Sequence, residues 1–147
     1  MKIEVTFDGK KKVKARMGRH LVMTDKPATS GGDDVAVTPY DLFLTSLATC
    51  AGIYIKDFCD YRGFSTDGIT LTQTHHMNDM GFATKIDLVI NLPEGFPEKY
   101  VESLIRVAGL CKVNQQLLSL PELSVKSRVV KKNKHPEIST IHHDILN

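Results

Sequence analysis

Apolar and polar residues alternate from Lys2 to Phe7, with Ile3, Val5 and Phe7 on one side, which predicts a strand with one buried face. Asp8-Gly9 is a hairpin-turn pair, and Lys11 to Arg16 reads as a more polar partner strand. Gly18 breaks the run, after which Leu21 and Met23 alternate through Arg19 to Thr24 as a third strand. Asp25 to Val37 contains Pro27, Ser30, Gly31, Gly32, Asp33 and Asp34, and reads as a loop.

The period then changes. Thr38 to Arg62 opens with a capping threonine, a proline at the first helical position and Asp41 three residues after the cap. Leu42, Phe43, Leu44, Leu47, Ala48, Ala51, Ile53, Tyr54, Ile55 and Phe58 make it apolar on nearly every side. That is the pattern of a buried core helix, and Thr45, Ser46, Thr49 and Lys56 interrupt it too often for a bilayer span. Gly63 stops it. Alternation returns in Ile69 to His76 and in Ala83 to Leu92, two strands joined by a turn at Asn78-Asp79-Met80-Gly81.

Pro97 starts a second helix with Tyr100, Val101, Leu104, Ile105 and Ala108 on one face, and Gly109 ends it in the position of a left-handed cap. A short third helix, Lys112 to Ser119, stops at Pro121, and Leu123 to Val130 reads as a last strand. The order strands, long helix, strands, helices, strand is α+β, with antiparallel sheets around a long central helix. The expected organisation is one domain over 1–130 and a basic, then His-rich, tail over 131–147, either a docking arm or a frayed end.

Composition changes this picture little. A net charge of +2 gives no argument for a nucleic-acid partner. The start MKIEVTFDGK has no leader character, and three cysteines, an odd number, fit a reducing cytosol better than a disulfide scaffold. The expected location is therefore the cytoplasm, with no membrane partner. No GxGxxG or P-loop is present, and Cys50, Cys59 and Cys111 form no CxxC pair, so neither cofactor nor metal is expected.

The candidate chemistry is thiol chemistry. Cys50 sits mid-helix among Thr49, Ala51 and Gly52, small residues that allow close approach to its sulfur. Cys111 lies after a glycine and before a helix, where unpaired backbone N–H groups favour a thiolate. For each, the plainer reading is a small buried hydrophobe, and Cys59 reads as core packing. His75-His76 point to opposite faces of a strand and cannot chelate one metal. His20 reads as a surface histidine. Lys10, Lys11, Lys12, Lys14 and Arg16 read as a solvated hairpin edge, and His135, His142 and His143 lack zinc spacing.

As a pair, the cysteines carry a resemblance. TPYDLFLTSLATC resembles the helix motif of the OsmC/Ohr family, a proline, an acid and leucines leading to a cysteine. AGLCKVNQQLL resembles that family's second cysteine motif, and the likeness covers roughly Lys2 to Val130. The resemblance implies an intertwined homodimer with sites at its interface. It also implies that Cys50 attacks a hydroperoxide and Cys111 resolves the sulfenic acid, with Arg16 (or second, Arg19) as cation and Asp41 as its acid. Tyr40 stands where Ohr-type members place a glutamate, and Lys112 where they place a proline.

Two functions are therefore expected. One is a cysteine-based thiol peroxidase for organic hydroperoxides, recycled by a dithiol reductant and needing no cofactor. The other is a non-catalytic protein on the same scaffold that binds a small hydrophobic ligand or responds to redox stress.

Overall fold

Three short antiparallel strands open the chain: β1 (Glu4–Phe7), β2 (Val13–Met17) and β3 (His20–Thr24), in that spatial order. The computed structural model describes residues 1–129. The β1–β2 turn is made by Gly9 and Lys10, both at positive φ, and closed by Lys12 N–H donating to the Gly9 carbonyl (3.0 Å). Register sets Val5, Ala15 and Val22 on one face and Glu4, Arg16 and Leu21 on the other. The expected buried face is not buried within the chain: every β1 position is exposed, Phe7 at 86%. The reason is that α1 (Pro39–Tyr61) packs mainly on α2 and β4, not on this sheet.

The link from β3 to α1 is a closed loop. Asp25 N–H donates to the Val37 carbonyl (3.2 Å), so the loop's two ends meet, the geometry of a compact Ω-loop. Asp25 itself is 1% exposed, and its carboxylate accepts backbone N–H bonds from Lys26 (2.8 Å), Asp33 (2.9 Å) and Val35 (3.4 Å). Burial alone pushes this carboxyl up, but the three N–H donors outweigh it and hold the group below the usual carboxylate range. Gly32 is required there, since a Cβ would stand 1.8 Å from the Lys26 carbonyl oxygen. Asp33 ties the loop to the β1–β2 hairpin through Lys10 and Lys12 (2.9 Å to Lys12), so these lysines are ion-paired rather than simply solvated.

Thr38 caps α1 as its sequence requires: its Oγ1 accepts the Asp41 N–H (3.1 Å) and donates to Asp41 Oδ2 (2.7 Å). Gly63, at φ 69°, follows the helix end. β4 (Thr70–Met77) and β5 (Ala83–Asn91) form a separate antiparallel pair. Asn78 Oδ1 shapes their turn by accepting the N–H groups of Met80 (3.1 Å) and Phe82 (2.9 Å). After a 3₁₀ turn, Glu98–Tyr100, come α2 (Val101–Gly109) and α3 (Lys112–Leu118). Gly109 is not a left-handed cap. It stays helical, and Leu110 closes α2 by donating to Arg106 and Val107 carbonyls.

The core lies between α1 and α2, with Leu71, Leu88 and Ile90 of the β4–β5 pair against it. Ile55 and Leu104 are its largest fully buried aliphatics, each contributing about 1.5–3 kcal/mol. By length and composition alone α1 passes as a membrane span, contrary to the sequence reading, yet Ala51, Ile55 and Cys59 on it form this core. Met1–Gln115 makes one compact unit, and the chain from Gln116 belongs to a second. Over its described part, 123–129, the strand expected from Leu123 to Val130 does not form. Leu123 to Arg128 has no regular structure and Val129 makes an isolated bridge, and neither sheet among the described residues takes the segment in to satisfy its backbone. Val130 and the 131–147 tail, with His135, His142 and His143, lie outside the described residues.

Candidate thiol site

Cys50 is half-buried on α1 and packs against the cluster that contains Cys111, which is fully buried. All three cysteines are free thiols. Small residues allow the approach: Ala51 and Gly52 follow Cys50 on α1, and Ala108 and Gly109 precede the turn that carries Cys111. That turn is braced by Asn114 Nδ2, which donates to the Gly109 carbonyl (2.5 Å), and by Gln115 N–H, which donates to the Cys111 carbonyl (3.0 Å).

Burial pushes the Cys111 thiol up first of all. The backbone N–H groups of Asn114 and Val113, at the start of α3, pull the other way. The neighbouring Cys50 raises it again, and the net direction is up. Cys111 therefore holds its proton beside the more accessible Cys50 sulfur. The structure thus brings together the two cysteines that the sequence singled out. Cys59 is buried in the same core, and burial raises its thiol too, which fits packing rather than reactivity.

An apolar cavity of about 450 Å³ reaches Ala51, next to Cys50, and Asn114, three residues after Cys111, but neither cysteine lines it. Leu47 and Ala51 of α1, Leu88 and Ile90 of β5 and Leu104 of α2 line it, and Asn114 is the polar residue at its wall.

The other expected site residues sit apart from the thiols. Arg16 is exposed on β2, level with Glu4 and Leu21, and its charge lowers the Glu4 carboxyl behind the larger effect of Lys2. Asp41 is held by Thr38. Among the described residues no hydrogen bond or ion pair joins Arg16 to Asp41 or Cys50. Arg19 and His20 are exposed at the β2–β3 turn.

Tyr40 is neither free nor in the thiol cluster: its hydroxyl accepts the Ala83 N–H (2.9 Å), and its ring packs on Phe43 and edge-on to Phe82. His75 and His76 face opposite ways, as expected, His76 to Asp87 (2.9 Å) and His75 to Gln73 (2.6 Å). Gln73 also donates to the Leu44 carbonyl of α1 (2.9 Å), a tie missed in the sequence although Leu71-Gln73-His75 alternation places it inward. Among the described residues no group of His, Cys, Asp or Glu is arranged to hold a metal ion.

Two antiparallel sheets, a long core helix and a paired cysteine at the turn between two short helices define an OsmC-type α+β protein. The family model for OsmC-like protein matches residues 31–141, and the chain belongs to that family. No curated protein matches it. Among solved structures, an osmotic stress induced and detoxification response protein from Psychrobacter arcticus 273-4 is 24% identical, with TM-score 0.67 over 78% of this chain and 85% of that one. An OsmC-like protein from Mycoplasma pneumoniae is 14% identical (TM-score 0.64; 81% and 87% covered). An organic hydroperoxide resistance protein OsmC from Legionella pneumophila is 17% identical (TM-score 0.51; 81% and 90% covered). At these identities the likeness is one of fold.

Proposed function

We propose that this protein is a cytoplasmic thiol peroxidase that reduces organic hydroperoxides through Cys50 and Cys111. The observation that carries the reading is the packing of Cys50 against the buried cluster that holds Cys111, with an apolar cavity walled by their sequence neighbours Ala51 and Asn114. The half-buried Cys50 thiolate attacks the distal peroxide oxygen. The O–O bond breaks, the alkoxide leaves and is protonated to the alcohol, and Cys50 becomes a sulfenic acid. The Cys111 thiol then displaces hydroxide from that sulfur and gives up its proton, releasing water and leaving a disulfide. An external dithiol reduces the disulfide by exchange and is itself oxidised. The name of the Legionella neighbour, a hydroperoxide resistance protein, agrees with this chemistry.

The site is completed in a homodimer. The apolar β1–β3 face and the exposed Phe43 and Ile53 of α1 are surfaces that a second copy would cover. In that assembly Arg16 supplies the positive charge that favours the Cys50 thiolate, and Asp41 anchors it.

A thiol count after one equivalent of an alkyl hydroperoxide tests the reading. Loss of two thiols per chain, restored by a dithiol, supports it; no loss leaves the second reading. In that second reading the cavity holds a small hydrophobic ligand without turnover. Tyr40 in the position where Ohr-type members place a glutamate favours it, since its hydroxyl is taken up by the Ala83 N–H.

A further inference from the structure

The three-stranded sheet that carries Arg16 makes no extensive packing with α1, which carries Cys50. Their connection is the 25–37 loop, and that loop is closed around one buried carboxylate. Asp25 Oδ2 takes the N–H groups of both Asp33 and Val35, and Oδ1 takes that of Lys26. Gly32 lies so close that its absent Cβ would overlap the Lys26 carbonyl and come within 2.9 Å of Asp25 Oδ1. Lys26 and Pro27 carbonyls accept from Asp34 (3.2 Å) and Gly32 (3.2 Å), and Asp33 carries the clasp outward to Lys10 and Lys12 of the hairpin. On the far side, Val37 delivers the chain to the Thr38 cap. Asp25 thus holds closed the segment whose Asp33 reaches the β1–β2 hairpin and whose Val37, bonded to the Asp25 N–H, leads into the first turn of α1.

We propose that Asp25 is a positioning residue for the thiol site: through the closed 25–37 loop it sets where α1 begins relative to the sheet bearing Arg16. This rests on the reading above in which Arg16 favours the Cys50 thiolate. It holds whether the sheet serves the Cys50 of its own chain or that of a second copy, because the same loop orients both parts. A fully buried carboxylate is costly unless its acceptors are filled, and here all three bonds go to the backbone of the one segment that must stay closed.

The test compares full-length wild type with Asp25→Ala, Asp25→Asn and Arg16→Met by two readouts. One is amide hydrogen exchange at the first turn of α1 (Asp41 and Leu42). The other is the pH profile of Cys50 alkylation, followed on its peptide by mass spectrometry. Asp25→Ala is expected to open Asp33, Val35, Asp41 and Leu42 to exchange while β4 and β5 stay protected. It should also slow Cys50 alkylation at pH 7 by about tenfold, in the direction of Arg16→Met. Asp25→Asn keeps one oxygen for Asp33 and Val35 and should recover part of both effects. Wild-type protection at Asp41 and Leu42 in Asp25→Ala overturns the proposal. So does lost protection with unchanged alkylation when Arg16→Met slows it. If Arg16→Met alkylates like wild type, the thiol-activation reading fails on its own, and the role of Asp25 is decided by exchange at Asp41 and Leu42. Should Asp25→Ala not fold, Asp25→Asn carries the same comparison.

Discussion

The Tyr40 hydroxyl accepts the Ala83 N–H at 2.9 Å, joining the first turn of α1 to the first residue of β5. The bond reaches across 43 positions of sequence and sits where the β4–β5 ladder is irregular, beside Met77 opposite Ala83. Tyr40 therefore anchors the hairpin tip to the helix that carries Cys50. Tyr40→Phe keeps the ring contacts with Phe43 and Phe82 but leaves a backbone N–H without its acceptor. It should cost about 1–2 kcal/mol in denaturant unfolding, with little change in cooperativity. An unchanged midpoint would show that solvent replaces this bond freely.

The cysteine roles separate by trapping. Cys50→Ser should abolish peroxide-dependent thiol loss, whereas Cys111→Ser should leave a sulfenic acid that dimedone captures and that over-oxidises with excess peroxide. Cys59→Ser should alter stability alone, since burial keeps that thiol protonated. Equal peroxide reactivity in all three variants would remove the assigned roles.

Alkaline pH offers an independent check on burial. Cys59 and Cys111 are both raised in the folded chain above the ordinary thiol value of 9.0. A raised folded pKa gives a stabilising contribution that is complete below the unfolded pKa and is lost as pH rises through the folded one. Stability should therefore decline above pH 9, and the decline should be shallower in Cys59→Ala than in wild type. Parallel pH slopes for the two proteins in denaturant titrations would contradict the burial of that thiol.

Assembly can be tested directly. With Phe7, Val5, Phe43 and Ile53 exposed, the chain should sediment as a dimer at micromolar concentration, and Ile53→Glu should shift it toward monomer and lower its stability. A stable, folded wild-type monomer at that concentration would exclude the interface.

The sequence disclosed what local chemistry decides. Thr38-Pro39-Tyr40-Asp41 marked the start of α1 because a cap bonds within four residues, and Gly63 marked its end for a similar local reason. The alternation in β1 showed which residues share a face, but not whether that face is covered, because covering depends on another element or another chain. The Leu123–Val130 pattern forms no strand over its described part, 123–129, for a related reason: period two describes a strand's faces but does not say which neighbour it pairs with. Of the site, Cys50 and Cys111 were legible as a pair through their motifs. Asp25 was not, because it looked like one polar residue among many in a glycine-rich loop. Its importance comes from three N–H groups, two of them eight and ten residues away. Tyr40 and Gln73 were likewise assigned no partner, since Ala83 and Leu44 lie far off in the chain.

The helix that holds the core also sets an order of events during synthesis. Pro39–Tyr61 leaves the ribosome well before β4 and α2, the elements that cover it, and α2 ends about 50 residues later. At roughly 5–20 residues per second, this apolar segment stays uncovered for several seconds. It then presents to targeting factors and chaperones the length and apolarity of a membrane anchor. Thr45, Ser46, Thr49 and Lys56 are the residues that lower the apolarity of this segment while it is uncovered.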